Sequence, residues 1–158
     1  MKILITGGLG YIGSHVATVL IQNGIETVLV DTLENSRIQV LDGIESITGK
    51  APIFRKIDVG DETQMNQLFE EFTDIGGVIH FAAYKSVGES ISQPLRYYKN
   101  NLGSLQQLLK YLIPNSIPLI FSSSCTVYGQ SETFPIREDA PLKSATSPYG
   151  NTKKIGEQ

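Results

Sequence analysis

The last ten residues of the chain contain a tyrosine and a lysine whose spacing could support proton transfer. Tyr149 and Lys153 are four positions apart, so in a helix both side chains lie on one face. A nearby ammonium group stabilises a phenolate and lowers the pKa of the phenol, which lets a tyrosine act as a general base near neutral pH. The YxxxK pattern is short and recurs by chance, so its meaning depends on its neighbours.

Three serines at 122–124 follow the last apolar run that reads as a strand. They are predicted at the carboxyl end of that strand, where open α/β sheets bind their ligands. A serine hydroxyl there can hold a substrate oxygen while a tyrosine moves its proton. Ser124, Tyr149 and Lys153 are therefore the candidate catalytic residues. Serines can also simply end a strand, but the order of the motifs favours catalysis.

A glycine-rich stretch, TGGLGYIG at residues 6–13, stands between a strand-like and a helix-like segment. It reads as GxGxxG from Gly8 or as GxxGxxG from Gly7, and both readings end on Gly10 and Gly13. Either reading places backbone N–H groups and a helix N-terminus against a pyrophosphate. Spacing alone does not decide between the two readings.

An acidic residue, Asp31, ends the second predicted strand, 18 residues after Gly13. A carboxylate at this place accepts hydrogen bonds from the ribose hydroxyls of a dinucleotide. Its charge would repel a 2′-phosphate, so the cofactor is predicted to be NAD. Asp58 and Val59 follow the third strand and are candidates for contact with the adenine, although turn chemistry explains them almost as well.

Short apolar runs alternate with amphipathic stretches along the chain. The runs read as strands near residues 3, 27, 53, 78 and 119. Helices are predicted over 11–23, from Asp61, from Pro94 and from Ser147. This alternation predicts an α/β fold with a doubly wound parallel sheet of the Rossmann type.

Several smaller features are interpreted structurally. The apolar spacing after Pro94 predicts the buried face of that helix as Leu95, Tyr98, Leu102, Leu105, Leu109 and Leu112. The polar segment 130–147 is predicted to be a surface loop. His15 and His80 have no second ligand at metal spacing, so no metal site is predicted. Cys125 is interpreted as a small buried residue.

Composition restricts the class of protein. The chain has 158 residues, of which 41% are hydrophobic, and a net charge of −3 without a basic stripe for nucleic acid. The single cysteine, the absence of a signal peptide and the lack of a long apolar run predict a soluble cytoplasmic protein with no membrane partner. Five predicted strands are fewer than usual, so we expect an N-terminal part of a longer protein.

Together these motifs resemble the extended short-chain dehydrogenase/reductase family, and within it the nucleotide-sugar 4-epimerases. The stretches that carry the closer resemblance are GYIGSH (10–15), DTLENS (31–36), IHFAAYKSVGES (79–90), PLRYYKNN (94–101), FSSSCTVYG (121–129) and SPYGNTK (147–153). The resemblance covers nearly the whole chain, and KSVGES discriminates more strongly than the glycines do.

The resemblance implies a tightly bound NAD and specific binding residues. They are Gly7, Gly10, Tyr11, Ile12 and Gly13 at the pyrophosphate, Asp31 and Asn35 at the adenosine ribose, Asp58 and Val59 at the adenine, Phe81, Ala82, Ala83, Lys85 and Asn100 on the nicotinamide side, and Lys153 at the nicotinamide ribose. Lys85, Ser124, Thr126 and Tyr149 would contact a UDP-sugar. Tyr149 would take the proton of the 4-hydroxyl group as hydride passes to NAD.

The family resemblance also implies a second half. Residues 1–158 would be the N-terminal part of the NAD-binding Rossmann domain, with the sheet incomplete at its carboxyl-terminal end. The UDP-sugar-binding domain would be absent, so this piece alone is expected to be inactive, whereas the full-length protein is expected to be a homodimer. The alternatives are another epimerase, a dehydratase or a decarboxylase of the family, or a non-catalytic NAD-binding module. Dehydratases carry an Asp-Glu pair where Ser124 and Cys125 stand here.

Overall fold

The structure, a computed structural model, describes residues 1–131 and 134–158. These residues form two compact units. Unit 1 comprises Met1–Ala82 and Ser104–Phe121, and unit 2 comprises Ala83–Gly103 and Ser122–Gln158. Within the described ranges, every helix is too short or too polar to cross a membrane.

Strands and helices alternate along the chain, as the sequence predicts. In chain order the elements are β1 (Lys2–Thr6), α1 (Tyr11–Gln22), β2 (Thr27–Asp31), α2 (Val40–Thr48), β3 (Ile53–Lys56), α3 (Glu62–Glu71), β4 (Ile75–His80), α4 (Val87–Ser92), α5 (Pro94–Leu112), β5 (Leu119–Phe121) and α6 (Pro148–Gly156). The helices α2 and α4 lie where the sequence analysis predicted no element.

The strands form one parallel sheet in unit 1, in the order β3-β2-β1-β4-β5. At its centre, Ile5 of β1 pairs with Leu29 of β2 on one side and with Ile79 of β4 on the other. The chain runs outward from β1 to β3 and then returns to β4, so the strand order reverses beside β1. This confirms the doubly wound parallel sheet, and such a reversal point is where these sheets bind ligands.

Alternate residues of the central strands face opposite sides of the sheet and fill two apolar cores. Leu4 packs with Met65 of α3 in one core, whereas Ile5 and Leu29 pack with Ala17 of α1 in the other. All five side chains are fully buried. Burying a large aliphatic side chain contributes about 1.5–3 kcal/mol, so the cores fix the strand register and thereby the strand ends that carry the site.

Two residues from which helices were predicted to start, Asp61 and Ser147, are the N-caps of α3 and α6. Asp61 caps α3 by accepting a hydrogen bond from the backbone N–H of Gln64 at 3.0 Å. The side-chain oxygen of Gln64 accepts from the backbone N–H of Asp58, not from that of Asp61 as in a capping box. Ser147 caps α6 through the backbone N–H of Gly150 at 3.1 Å. Such caps are worth about 1 kcal/mol each.

The predicted buried face of α5 is wrong in its first half. Leu95 is 83% exposed, whereas Tyr97 is fully buried. The buried residues of the helix are Tyr97, Asn101, Ser104, Leu105, Gln107, Leu108 and Leu112. Asn101, Ser104 and Gln107 are polar, so a buried face predicted from the apolar residues alone did not include them. Cys125 is exposed, which also corrects its interpretation as a buried residue.

Candidate functional site

The loop between β1 and α1 requires glycine at both ends of the GxxGxxG pattern. Gly7 has a φ of +64°, and a Cβ there would lie 2.8 Å from the backbone nitrogen of Ala82. A Cβ on Gly13 would collide with the carbonyl oxygen of Gly7, so the first turn of α1 closes directly on the loop. Gly10 lies between them as the N-cap of α1. Gly8 is also tightly packed, against β2.

The amino end of α1 suits an anion. Gly10 makes no side-chain cap, and the first turn contains no acidic residue. Tyr11 and Ile12, the first residues of the helix, are 78% and 55% exposed. The backbone N–H groups of a first turn and the helix dipole favour a phosphate at such a place. This feature of unit 1 fits the pyrophosphate of NAD.

The carboxylate of Asp31 joins two loops at the carboxyl ends of β1 and β2. Its Oδ2 accepts a hydrogen bond from the backbone N–H of Leu9 at 3.1 Å. Its Oδ1 accepts from the backbone N–H of Leu33 at 3.0 Å and from the Ser36 hydroxyl at 2.7 Å. Leu33 has a φ of +64°, and its hydrogen bond to Asp31 helps to hold this strained backbone. Asn35 lies exposed in the same loop.

The segment after β3 carries the two residues predicted at the adenine. Asp58 is exposed, and its Oδ1 accepts a hydrogen bond from the backbone N–H of Gly60 at 2.8 Å. Val59 is buried in the first core, so its side chain is occupied. Val59 can therefore offer a ligand only its backbone.

A buried polar pair shapes the exit of β4. The hydroxyl of Thr6 lies 2.6 Å from Nδ1 of His80 and accepts a hydrogen bond from the backbone N–H of Ala82 at 3.3 Å. The carbonyl oxygen of Thr6 accepts from the backbone N–H of Phe81 at 3.1 Å. Thr6 thus holds residues 80–82 beside Gly7, and the buried His80 has the structural role predicted for it.

In unit 2, Lys153 is a buried amine. It is 4% exposed, and its Nζ donates a hydrogen bond to the carbonyl oxygen of Ser122 at 2.8 Å. Burial lowers the pKa of Lys153 to about 8, because the charged form loses its hydration. Tyr149 lies one turn earlier on α6, so the two side chains share a face of the helix.

Ser124 caps a one-turn 3-10 helix at Cys125–Tyr128. Its hydroxyl oxygen accepts hydrogen bonds from the backbone N–H of Thr126 at 3.3 Å and from the Thr126 hydroxyl at 3.0 Å. Gly150 lets α6 approach this turn, since a Cβ there would lie 3.2 Å from the Thr126 side chain. Unit 2 therefore packs the turn that carries Ser124 against the helix that carries Tyr149.

Asn101 was not predicted as a site residue, but it is 5% exposed and both ends of its side-chain amide form hydrogen bonds. Its Oδ1 accepts from the backbone N–H of Tyr84 at 2.9 Å, and its Nδ2 donates to the carbonyl oxygen of Tyr84 and the hydroxyl of Thr152, each at 3.0 Å. The Thr152 hydroxyl donates to the carbonyl oxygen of Tyr149 at 2.7 Å. Asn100, which was predicted instead, donates to Asn101. The only indication in the sequence was that two asparagines, Asn100 and Asn101, are adjacent.

The predicted site residues fall into two groups. Those predicted at the pyrophosphate, ribose and adenine lie in unit 1, together with Phe81 and Ala82. Ala83, Lys85 and Asn100 lie in unit 2 with the candidate catalytic residues. Ala83 is half-buried and Lys85 is exposed. Unit 1 thus carries a backbone site suited to an anion, and unit 2 carries side chains suited to proton transfer.

The chain belongs to the NAD dependent epimerase/dehydratase family, whose model matches residues 3–158. This confirms the family resemblance drawn from the motifs. More particularly, the chain is 48% identical over 153 residues to a UDP-glucose 4-epimerase of Dictyostelium discoideum, covering 96% of this chain and 44% of that protein. It is 46% identical over 159 residues to the UDP-glucose 4-epimerase of Bacillus subtilis, covering 100% of this chain and 46% of that protein. The chain spans about half the length of these curated relatives.

Solved structures agree with this relationship. A UDP-glucose 4-epimerase from Bifidobacterium longum in complex with NAD+ and UDP matches with a TM-score of 0.96 and 42% identity, over 100% of this chain and 47% of that one. A UDP-glucose-4-epimerase from Stenotrophomonas maltophila with bound NAD and formylated UDP-arabinopyranose matches with a TM-score of 0.93 and 45% identity, with the same coverage of both chains.

Proposed function

We propose that the chain is the NAD-binding part of a UDP-glucose 4-epimerase, which interconverts UDP-glucose and UDP-galactose by transient oxidation at C4 of the sugar. One observation carries this proposal: the buried amine of Lys153 lies one helical turn after Tyr149 on α6. This amine donates a hydrogen bond to the carbonyl oxygen of Ser122. The UDP-glucose 4-epimerases at 48% and 46% identity support it.

Unit 1 would hold the adenosine and pyrophosphate of NAD. The pyrophosphate would meet the backbone around the first turn of α1, at Gly7, Gly10, Tyr11, Ile12 and Gly13. Asp31 and Asn35 would bind the ribose, and the negative charge of Asp31 disfavours the 2′-phosphate of NADP. Asp58 and the backbone of Val59 would contact the adenine. When bound, NAD supplies the acceptor and donor of the hydride at C4.

The residues predicted on the nicotinamide side are Phe81, Ala82, Ala83, Lys85 and Asn100. Lys153 would contact the nicotinamide ribose through its amine, and Lys85 is also a candidate for contact with the UDP-sugar. The exposed position of Lys85 leaves its side chain available to a ligand.

Tyr149 would take the proton of the sugar's 4-hydroxyl group and later return it to the 4-oxygen. Lys153 would assist by offering a buried amine on the same face of α6 as Tyr149. The hydroxyls of Ser124 and Thr126 would hold the 4-oxygen in place.

The test uses the full-length gene product, because the 158 residues span about half of the relatives and are expected to be inactive alone. UDP-galactose is supplied and UDP-glucose is measured. Tyr149→Phe should lower the rate at least about 100-fold, since general acid–base catalysis contributes 10²–10⁴. Tyr111→Phe, which removes a phenolic hydroxyl from unit 1, is the control and should stay within about twofold. An inactive wild type or an unaffected Tyr149→Phe variant would contradict the proposal.

Two further expectations concern the full-length protein. We expect a homodimer, and the exposed apolar side chains of Ile91 and Leu95 in unit 2 support a protein contact there. Light scattering during size-exclusion chromatography measures the mass directly.

A cytoplasmic location remains the prediction made from the single cysteine. A dehydratase is disfavoured, because Ser124 and Cys125 occupy the place of its Asp-Glu pair.

A further inference from the structure

The short segment 84–86 in unit 2 carries Lys85 and belongs to no helix or strand. Two side chains of α5, Tyr97 and Asn101, lie four positions apart on one face of that helix and form hydrogen bonds with the backbone of segment 84–86. Asn101 binds both backbone groups of Tyr84. The hydroxyl oxygen of Tyr97 accepts a hydrogen bond from the backbone N–H of Ser86 at 3.1 Å. The residues on both sides of Lys85 are therefore anchored.

The hydroxyl of Tyr97 is used in both directions. It accepts from Ser86 and donates to Oε2 of Glu89 at 2.7 Å. The tyrosine is fully buried, and burial together with the Glu89 carboxylate raises its pKa, so the hydroxyl keeps the proton that it donates. Glu89 is thereby linked through Tyr97 to the backbone next to Lys85.

A cation completes the arrangement. Oε1 of Glu89 accepts a hydrogen bond from Nη1 of Arg96 at 2.8 Å. The guanidinium carbon of Arg96 lies 4.4 Å from the centre of the Tyr84 ring, within range of a cation–π interaction. The rings of Tyr84 and Tyr97 are 5.6 Å apart. The contacts run from Tyr84 through Arg96, Glu89 and Tyr97 to Ser86, and so link the two residues that flank Lys85 in the sequence.

We propose that Tyr97 and Glu89 are positioning residues for Lys85, setting the backbone from which its exposed side chain reaches the cofactor or the UDP-sugar. This rests on the proposed function, in which Lys85 contacts one of these ligands. The segment adds no large apolar side chain to the buried core. Fixing its backbone before the ligand arrives lowers the ordering cost of binding.

The test is a double-mutant cycle in the full-length gene product, with Tyr97→Phe and Lys85→Ala made separately and together. Tyr97→Phe should lower kcat/KM for UDP-galactose about 5- to 10-fold, because it removes the hydroxyl that binds both the backbone of Ser86 and the carboxylate of Glu89. In the Lys85→Ala background the same change should cost less than about twofold, because the residue through which Tyr97 acts is gone. Equal losses in both backgrounds, or an unaffected Lys85→Ala variant, would overturn the proposal.

Two further variants separate positioning from general loss of stability. Glu89→Gln keeps an oxygen that can accept from Tyr97 and should retain at least about half of the activity, whereas Glu89→Ala should match Tyr97→Phe. If Glu89→Gln is as impaired as Glu89→Ala, the hydrogen-bond argument fails. Tyr111→Phe is the matched control on the same helix, since its hydroxyl donates to Oδ1 of Asn66 at 2.6 Å in unit 1.

A readout without turnover distinguishes this inference from the proposed function. Hydrogen exchange in peptides covering 84–87 should accelerate about 5- to 10-fold in Tyr97→Phe and remain unchanged in Tyr111→Phe. If Tyr97→Phe exchanges faster but the wild type is inactive, the epimerase proposal and the link to Lys85 are refuted. The inference that Tyr97 anchors the backbone of this segment would still hold. Unchanged exchange in Tyr97→Phe would overturn the positioning role whatever the activity.

Discussion

Replacing Lys153 by methionine should change how the stability of the protein depends on pH. The pKa of Lys153 in the folded protein is about 8, below the value of 10.5 for an unperturbed lysine. Between these two values the unfolded chain binds more protons than the folded chain, so the free energy of unfolding rises as the pH is raised. Lys153→Met removes this titration and keeps an apolar stem of similar length.

The size of the effect follows from the two pKa values. The gap between about 8 and 10.5 means that burying the ammonium costs about 3 kcal/mol at pH 7. At pH 9.5 most of the folded amine is neutral, and the remaining cost is about 1 kcal/mol. The wild type should therefore gain about 2 kcal/mol relative to Lys153→Met between these two pH values.

Denaturant unfolding of the full-length gene product, followed by far-ultraviolet circular dichroism at both pH values, measures this difference. Lys154→Met removes a half-buried lysine from the same helix and controls for the loss of one positive charge. Wild type and Lys153→Met that change in parallel between the two pH values would refute the inference that Lys153 is a buried amine with a lowered pKa.

Three further substitutions test the architecture of the site. Gly13→Ala should lower stability by about 1–3 kcal/mol and reduce the NAD content of the purified protein, because the new Cβ meets the carbonyl of Gly7; melting temperature and cofactor content would show it. Asn101→Ala should cost roughly 1–3 kcal/mol in denaturant unfolding, and more than Asn100→Ala, because it removes the hydrogen bonds of a buried amide. Ser147→Ala should cost about 1 kcal/mol by removing the cap of α6, and Ser147→Asp should restore it, as read from hydrogen exchange at the start of that helix.

The sheet could be predicted from the sequence because its central strands are buried on both faces and read as continuous apolar runs. The starts of α3 and α6 could be predicted as well, since Asp61 and Ser147 are strong N-caps. The N-cap residue of α2, Gln39, makes no side-chain hydrogen bond to the helix, and α4 has only six residues, so neither helix left a clear pattern in the sequence.

The buried face of α5 could not be predicted, because its determinants are distant in sequence. Asn101 is buried on account of Tyr84, 17 residues earlier, and Thr152, 51 residues later. A polar residue is expected to face water until such partners are known. The tyrosine–lysine pair of the candidate site was local and could be predicted, whereas the side chains that brace Lys85 depend on the folded arrangement.

The carboxylate of Asp31 has a consequence for redesigning coenzyme preference. The obvious route to a protein that accepts a 2′-phosphate is to replace this acidic side chain by a smaller, neutral one. Here the same oxygens fasten the glycine-rich loop at Leu9 and the following loop at Leu33 and Ser36. Removing them would release both loops together with the negative charge. A coenzyme switch in this chain is therefore expected to need a second substitution that ties the two loops together again, because the side chain proposed to select the coenzyme also holds these loops in place.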